Sequence, residues 1–531
     1  MSGSRNPSQS DEKTLALSRP IRLALACGSG LLLVTAFPSF HFHYAAWFSL
    51  TILMAASAGA RPRFAALCGF LHGVAFFFPT LSWLYVTFRI HGGVTPVMSV
   101  VALGAIVVPA SLFPMAFAWC FAWMLRRSLA LACAAAPFLW VAQEFGRRSV
   151  PQIGFPWNLL GYAGAHNLVL AQLAALGGVW LLSFLVTAFN ALLFWALMEL
   201  RAGKRTPLLI AAGSAAALLL VAEFGERWVP VTPPDHVARL VQANFPEPDS
   251  FPPDWLDTHA GELDQLERMS LAPGPDGNPP GLLIWSEVPA PFSMQEPKFA
   301  ARAQRIGKGV RDGFLVGVID WKVAPGAGWH VYNGAVLLDP SGRQTFLYDK
   351  IHLVPFSEFV PWSRWFTFVK NITLDLGNFT PGTDYTVGTL PDGRRFGVFI
   401  CYEAIFPDGV RQFVTNGAEV LVNISNDGWF GRSAGPEQHL DMARLRAVEN
   451  RRWLVRCTNN GYTAVVDPYG RVKYLLPVDV RALTEAQYGY RNDLSLYDRW
   501  GDWVPWVSIF AGLGIMLWAG FLKRAQNWKW R

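Results

Sequence analysis

Arg395-Phe396-Gly397-Val398-Phe399-Ile400-Cys401-Tyr402-Glu403 is a short apolar run that ends on a thiol. Its length and its Val, Ile and Phe content read as a buried strand. Two earlier stretches have the same form. Leu282-Leu283-Ile284-Trp285-Ser286-Glu287 ends on a carboxylate, and Thr345-Phe346-Leu347-Tyr348-Asp349-Lys350 ends on an ammonium. A base, a cation and a thiol, each at the end of a β-like run, can make an activated nucleophile. Outward from these, residues 237–245, 281–287, 313–320, 331–338, 345–348, 396–401, 418–424, 453–458 and 462–466 read as strands. Turn signals such as Asp339-Pro340-Ser341-Gly342 and Asp467-Pro468-Tyr469-Gly470 separate them. Helical patterns intervene at about 254–270, 296–310, 404–416 and 437–450. Strands alternating with helices predict an α/β layered domain over residues 228–500.

The flanks of that domain have a different chemistry. The chain has 531 residues, 52% of them hydrophobic and 16% charged, against about 25% charged in an ordinary soluble domain. The shortage falls in residues 21–227, where apolar stretches near 21–38, 44–60, 64–88, 94–125, 129–146, 167–198 and 206–224 read as spanning helices; another lies near 503–522. The expected architecture is a polytopic membrane domain of about eight spans, seven plus one, with the α/β domain inserted before the last. Residues 1–20 read as a disordered tail, 501–522 as the final span and 523–531 as a basic tail.

Charge sets the orientation. Arg61 and Arg63, Arg126 and Arg127, Arg201, Lys204 and Arg205, and Lys523 and Arg524 fall in one set of connections and tails. The other set holds Arg89, Arg147 and Arg148. The positive-inside rule puts both termini in the cytoplasm and the α/β domain on the far side. The net charge of +7 is spread over loops and tails, not gathered on one face, which argues against a nucleic-acid partner. The aromatic stretch Gly154-Phe155-Pro156-Trp157-Asn158-Leu159-Leu160-Gly161-Tyr162 fits an interfacial belt or a re-entrant segment that shapes a lipid site.

Of six cysteines, four lie in apolar stretches and Cys401 and Cys457 in the polar domain. No CxxC or Cys/His spacing points to a metal centre. A Cys401–Cys457 disulfide is the lesser alternative, because a nucleophile needs a free thiolate.

Trp285-Ser286-Glu287, then Tyr348-Asp349-Lys350-Ile351-His352-Leu353-Val354-Pro355-Phe356-Ser357-Glu358, then Ile400-Cys401-Tyr402-Glu403, resemble the Glu-Lys-Cys signature of the nitrilase, or carbon–nitrogen hydrolase, superfamily. Asn423-Ile424-Ser425-Asn426-Asp427-Gly428-Trp429-Phe430 and Cys457-Thr458-Asn459-Asn460-Gly461 extend it. With the spans arranged seven plus one, the chain beyond its first twenty residues resembles the apolipoprotein N-acyltransferase family of bacterial inner membranes. Ser357 stands where that family usually has Gly.

The resemblance implies an αββα sandwich and an acyl transfer that needs no cofactor. The donor would be a phospholipid, typically phosphatidylethanolamine, and the acceptor the α-amino group of a diacylated N-terminal cysteine on an apolipoprotein. Cys401 would be the nucleophile, passing through a thioester, and Glu287 the general base. Lys350 would favour the thiolate and then the oxyanion, with a backbone N–H near Tyr402 as second donor. Glu358, Tyr402 and Glu403 would support the site, and Trp255 would match a tryptophan in a mobile arm above it. Asn333, Asn426 and Asn459 fit loop-holding and plain turn chemistry equally well. Phe356, Phe359, Trp362, Trp365 and Phe366 form an apolar cluster that would meet the membrane and admit acyl chains. The alternative is a membrane-tethered amidase or nitrilase that uses the same triad with water on a small substrate.

Overall fold

A computed structural model of the chain describes residues 17–246, 252–274, 277–288, 290–324, 328–362 and 379–528. Most of the tail 1–20, the loop residues Trp365 and Phe366, and residues 529–531 lie outside the described residues.

The apolar half is helical: α1 Arg19–Val34, α2 Ala46–Ser57, α3 Pro62–Thr80, α4 Pro96–Leu125, α5 Leu129–Arg148, α6 Ala174–Arg201 and α7 Thr206–Phe224. Several starts are written in the sequence. Proline occupies the first turn of α1, α3, α4 and α7, where its missing N–H has no intrahelical partner to lose. Ser128 caps α5, its hydroxyl accepting from the Leu131 amide at 3.3 Å.

Among the described residues, six helices are long and apolar enough to cross a membrane: α3, α4, α5, α6, Thr206–Trp228 and Trp503–Leu522. The expected spans at 21–38 and 44–60 are the shorter α1 and α2, of 16 and 12 residues. At 1.5 Å per residue these rise only about 24 and 18 Å, short of a hydrocarbon core of about 30 Å. The span expected over 64–88 stops being regular at Thr80 and continues as short turns to His91. The one expected over 167–198 starts at Ala174 and breaks at Gly177–Gly178. Gly178 has a φ of 66°, and a Cβ there would meet the Tyr497 ring at 2.8 Å, so only glycine fits.

The polar half runs β1 His236–Gln242, α8 Ala260–Leu271, β2 Leu282–Trp285, α9 Pro297–Lys308, β3 Gly313–Ala324, β4 Gly328–Leu338, β5 Gln344–Asp349, β6 Val387–Thr389, β7 Arg395–Ile400, α10 Pro407–Thr415, β8 Val420–Ser425, α11 Gly435–Asn450, β9 Leu454–Thr458, β10 Ala464–Val466, β11 Val472–Leu475 and β12 Ala482–Tyr488. The chain closes with α12, Trp503–Trp528, which continues past the expected span end at 522. The strands form two six-stranded sheets, ordered β12-β1-β2-β3-β4-β5 and β11-β10-β9-β8-β7-β6. Within them β1-β2-β3 and β7-β8-β9 pair in parallel.

The sheets pack face to face through Leu240, Ile284, Leu315 and Ala335 on one side and Val398, Ile400, Val422 and Ile424 on the other. Helices α8 and α9 cover the outer face of the first sheet, over Leu283, Phe314 and Val316. On the second sheet α11 turns Ala443 and Ala447 to the strands and Met442, Leu445 and Val448 to the membrane helices. The result is the αββα sandwich that the resemblance implied, seated directly on the helical bundle. Strands β6, β11 and β12 were not expected. The first is three residues long, β11 is mostly exposed and most of β12 only partly buried, so none carries a buried apolar run.

Candidate active site

Glu287 follows β2, Lys350 follows β5 and Cys401 follows β7. The face-to-face sheets bring these three strand ends together, and all three side chains are buried. Lys350 Nζ lies 3.1 Å from Glu287 Oε1 and 2.9 Å from Glu358 Oε1. Asn333, in β4, donates its amide to the same two oxygens at 2.8 and 3.0 Å. The Asn426 amide donates to Glu287 Oε2 at 2.9 Å, and the Val354 amide to Glu358 Oε2 at 2.8 Å. Glu287 is thus fixed by donors on both oxygens.

Electrostatics define the resting state. Burial alone would lower the Lys350 ammonium, but the charges of Glu287 and Glu358 outweigh it and hold the group protonated, well above its ordinary value. Burial, and then the charge of Glu287, push the Cys401 thiol well up, against the pull of Lys350. The thiol is therefore held in its neutral form. Cys401 also has a φ of 47°. A non-glycine residue in that region stores roughly 1–3 kcal/mol of strain. A turn over Cys401–Ile405 follows the strand directly.

Glu403 is buried and bonded within the protein. Its carboxylate accepts from Tyr348 Oη at 2.8 Å and from the amides of Ile351, His352 and Ile400 at 2.8, 3.1 and 2.7 Å. It ties the segment after Lys350 to the strand end before Cys401. Burial raises this carboxyl, and those hydrogen bonds oppose the rise. Tyr402 is buried against Phe406, ring centroids 5.3 Å apart, and joins Ile405, Phe406 and Phe430 in the core of the membrane helices.

The other sequence candidates separate. Trp255 is not open above the site. It is buried, stacked on His259 at 4.1 Å and packed against Phe245 at 5.5 Å, because its apolar area finds more contact inside the layer over the first sheet than in solvent. Phe356 is 47% exposed, while Phe359 and Trp362 are half-buried. The Trp362 amide donates to Gln152 of the membrane domain at 2.8 Å, so this loop does rest on the bundle. Asn426 and Asn459 bond each other at 3.2 Å. Cys401 and Cys457 are both free thiols. Cys457 instead donates to the carbonyls of Val241 and Ile284 at 3.4 Å.

Cys401, Asp427 and His439 bring ligand-type atoms within 4.8 Å of one another. This is a filled ion-pair network and not an open coordination site. Arg456 Nη2 lies 2.7 Å from Asp427 Oδ2, and His439 spends Nδ1 on Asp427 and Nε2 on the Cys401 carbonyl, at 3.0 and 2.9 Å.

Two family models match the chain: the apolipoprotein N-acyltransferase N-terminal domain over residues 29–192, and carbon–nitrogen hydrolase over residues 314–483. Among curated proteins, the apolipoprotein N-acyltransferases of Geobacter metallireducens and Azotobacter vinelandii are each 32% identical, over 94% and 95% of this chain and 95% of each relative. Among solved structures, Saccharomyces cerevisiae Nit3 of the nitrilase superfamily is 19% identical with a TM-score of 0.36, over 49% of this chain and 93% of that one. That last likeness is too loose to carry an argument.

Proposed function

The chain belongs to the apolipoprotein N-acyltransferase family, and from that premise we infer that it moves an acyl chain from a phospholipid to the N-terminal amine of apolipoproteins through Cys401. It is an acyltransferase of the membrane; the amidase alternative is not favoured, since the likeness includes the helical half, which a small-substrate hydrolase does not need.

One observation carries the reading of the site. The turn that bears Cys401 is packed, through Tyr402, Ile405 and Phe406, into the apolar core of the membrane helices. A thiol at that level can meet a lipid ester. Glu287 takes the thiol proton as sulfur attacks the ester carbonyl. Lys350 stabilises the oxyanion, and collapse expels the lysophospholipid alkoxide, which takes the proton back from Glu287. The acceptor amine then attacks the thioester, gives its proton to Glu287, and the thiolate leaves and is reprotonated. Splitting the transfer avoids direct attack of an amine on an unactivated ester.

Phosphatidylethanolamine is the proposed donor and a diacylated N-terminal cysteine the proposed acceptor. Incubating the purified protein with phosphatidylethanolamine vesicles should give an acyl thioester on Cys401, read by mass spectrometry, which a diacylated lipopeptide then discharges. Lipopeptide acylation by Cys401→Ala would overturn the assignment. Fatty-acid release with no transfer would restore the hydrolase.

The bias of Lys and Arg across the connections supports an orientation in the bacterial inner membrane with both termini in the cytoplasm and residues 228–500 outside it. That orientation needs an odd number of crossings before residue 228, as the seven expected spans give, so α1 and α2 each cross once, the bilayer adapting to their short helices. An alkaline phosphatase fused near residue 230 should be active, and one fused after Arg531 inactive. The reverse pattern would refute the orientation.

A further inference from the structure

The strained backbone of Cys401 is held from behind. Its carbonyl accepts from His439 Nε2 at 2.9 Å; a carbonyl can only accept, so that nitrogen carries the hydrogen. His439 is fully buried, and the acyl-transfer chemistry gives it no proton to move. Its ring is fixed on three sides. Nδ1 faces Asp427 at 3.0 Å, and Asp427 is itself held by Arg456 at 2.7 Å and by Ser425 Oγ at 2.7 Å. Phe430 meets the ring edge-on at 5.6 Å. Trp157, from the Gly-Phe-Pro-Trp loop of the membrane domain, lies nearly parallel to it, centroids 5.9 Å apart at 24°.

That tryptophan is anchored in turn. Its indole N–H donates to Gln438 at 2.7 Å, the residue before His439, and Gln438 donates to the carbonyl of Thr80 at the end of α3 at 3.2 Å. An unbroken run of contacts therefore leads from the membrane helices to the nucleophile's peptide group.

We propose that His439 is a positioning residue for Cys401: it holds the left-handed backbone of the nucleophile by its carbonyl, and Trp157 holds His439, so the geometry of the thiol depends on the membrane domain. The inference rests on Cys401 being the nucleophile.

Two amide substitutions separate this from a packing role. His439→Gln places an amide N–H where Nε2 stands, within reach of the Cys401 carbonyl. His439→Asn places one where Nδ1 stands, facing Asp427 alone. The readout is the rate of iodoacetamide alkylation of the Cys401 peptide, followed by mass spectrometry on the full-length protein in nanodiscs. His439→Asn should slow alkylation about tenfold, the scale of one lost buried hydrogen bond, and His439→Gln should stay within about threefold of the parent. Trp157→Leu, which leaves His439 in place, should slow it severalfold and carries the test if neither amide variant folds. Equal rates for the Gln and Asn variants would overturn the His439 role, and a parental rate for Trp157→Leu would overturn its dependence on the membrane domain. If the underlying nucleophile reading is wrong, Cys401→Ala will still acylate a lipopeptide, a result distinct from both.

Discussion

Lys350→Met removes a buried cation that Glu287 and Glu358 share. The ammonium stands about 3 Å from each carboxylate. At an effective dielectric constant near 20, a unit pair at that distance attracts by roughly 5 kcal/mol. Desolvation cancels much of it, and breaking such a buried pair by removing one partner costs about 3–5 kcal/mol. For a domain of this size that lowers the midpoint of thermal unfolding by roughly 10 °C. The thiol suffers separately. Lys350 is the group that pulls the Cys401 thiol down against burial and Glu287, so without it alkylation at pH 8 should fall by at least about tenfold. The double variant Lys350→Met, Glu358→Gln tests whether the two effects have these causes. Neutralising Glu358 leaves one uncompensated carboxylate instead of two, and about half of the lost stability should return. Reactivity should not return, because the thiol still has no cation. Thermal unfolding in detergent and iodoacetamide kinetics read the two quantities. A double variant no more stable than the single, or a single variant alkylated at the parental rate, refutes the reasoning.

Glu403→Gln turns one carboxylate oxygen into a donor that must face an amide, the Ile400 N–H or those of Ile351 and His352; it should cost about 1–3 kcal/mol and slow Cys401 alkylation, and unchanged stability would show that the tie is not needed. Burial pushes the Cys457 thiol up to about 12, so its contribution is full below the ordinary thiol value and is lost as pH rises between about 9 and 12, at about 1.4 kcal/mol per unit. Unfolding titrations over that window should be shallower for Cys457→Ala by that amount; an identical slope would contradict the burial. Replacing Phe359 and Trp362 with Ser should impair acylation by long-chain phospholipid while a soluble short-chain ester still acylates Cys401. Equal slowing of both donors would make the loop a packing element.

That Glu287, Lys350 and Cys401 come together was legible because each ends a run of β-type residues, and strand ends meet in a face-to-face sandwich. Asn333 was not. It sits inside β4, and only the pairing of β4 with β5, where the Lys350 amide donates to the Asn333 carbonyl at 2.8 Å, sets its side chain between two carboxylates. Local sequence carries no trace of that partner. His439 and Arg456 were invisible for a like reason, since a helix face and a central strand supply buried polar groups whose partners lie in other elements. The packing of Trp255 was not legible because an indole suits an arm and a core equally well. The ends of α1 and α2 were not legible because hydropathy records an apolar stretch but not where the helix within it stops. The edge strands β11 and β12 were missed because a half-exposed strand has no apolar run to report it.

The break in α6 has a consequence for how the protein is made. At Gly177–Gly178 the helix interrupts its own ladder, and the Val179 amide bonds to the carboxylate of Glu449 at 2.8 Å, a residue 270 positions later. A ribosome adding roughly 5–20 residues per second needs on the order of 15–50 s to reach that glutamate. Throughout that interval α6 has left the tunnel with a donor that no residue yet synthesised on α11 can satisfy, in surroundings where an unmet amide is costly. The helical half, first to be translated, thus reaches its final form only when the last third of the chain arrives to complete it.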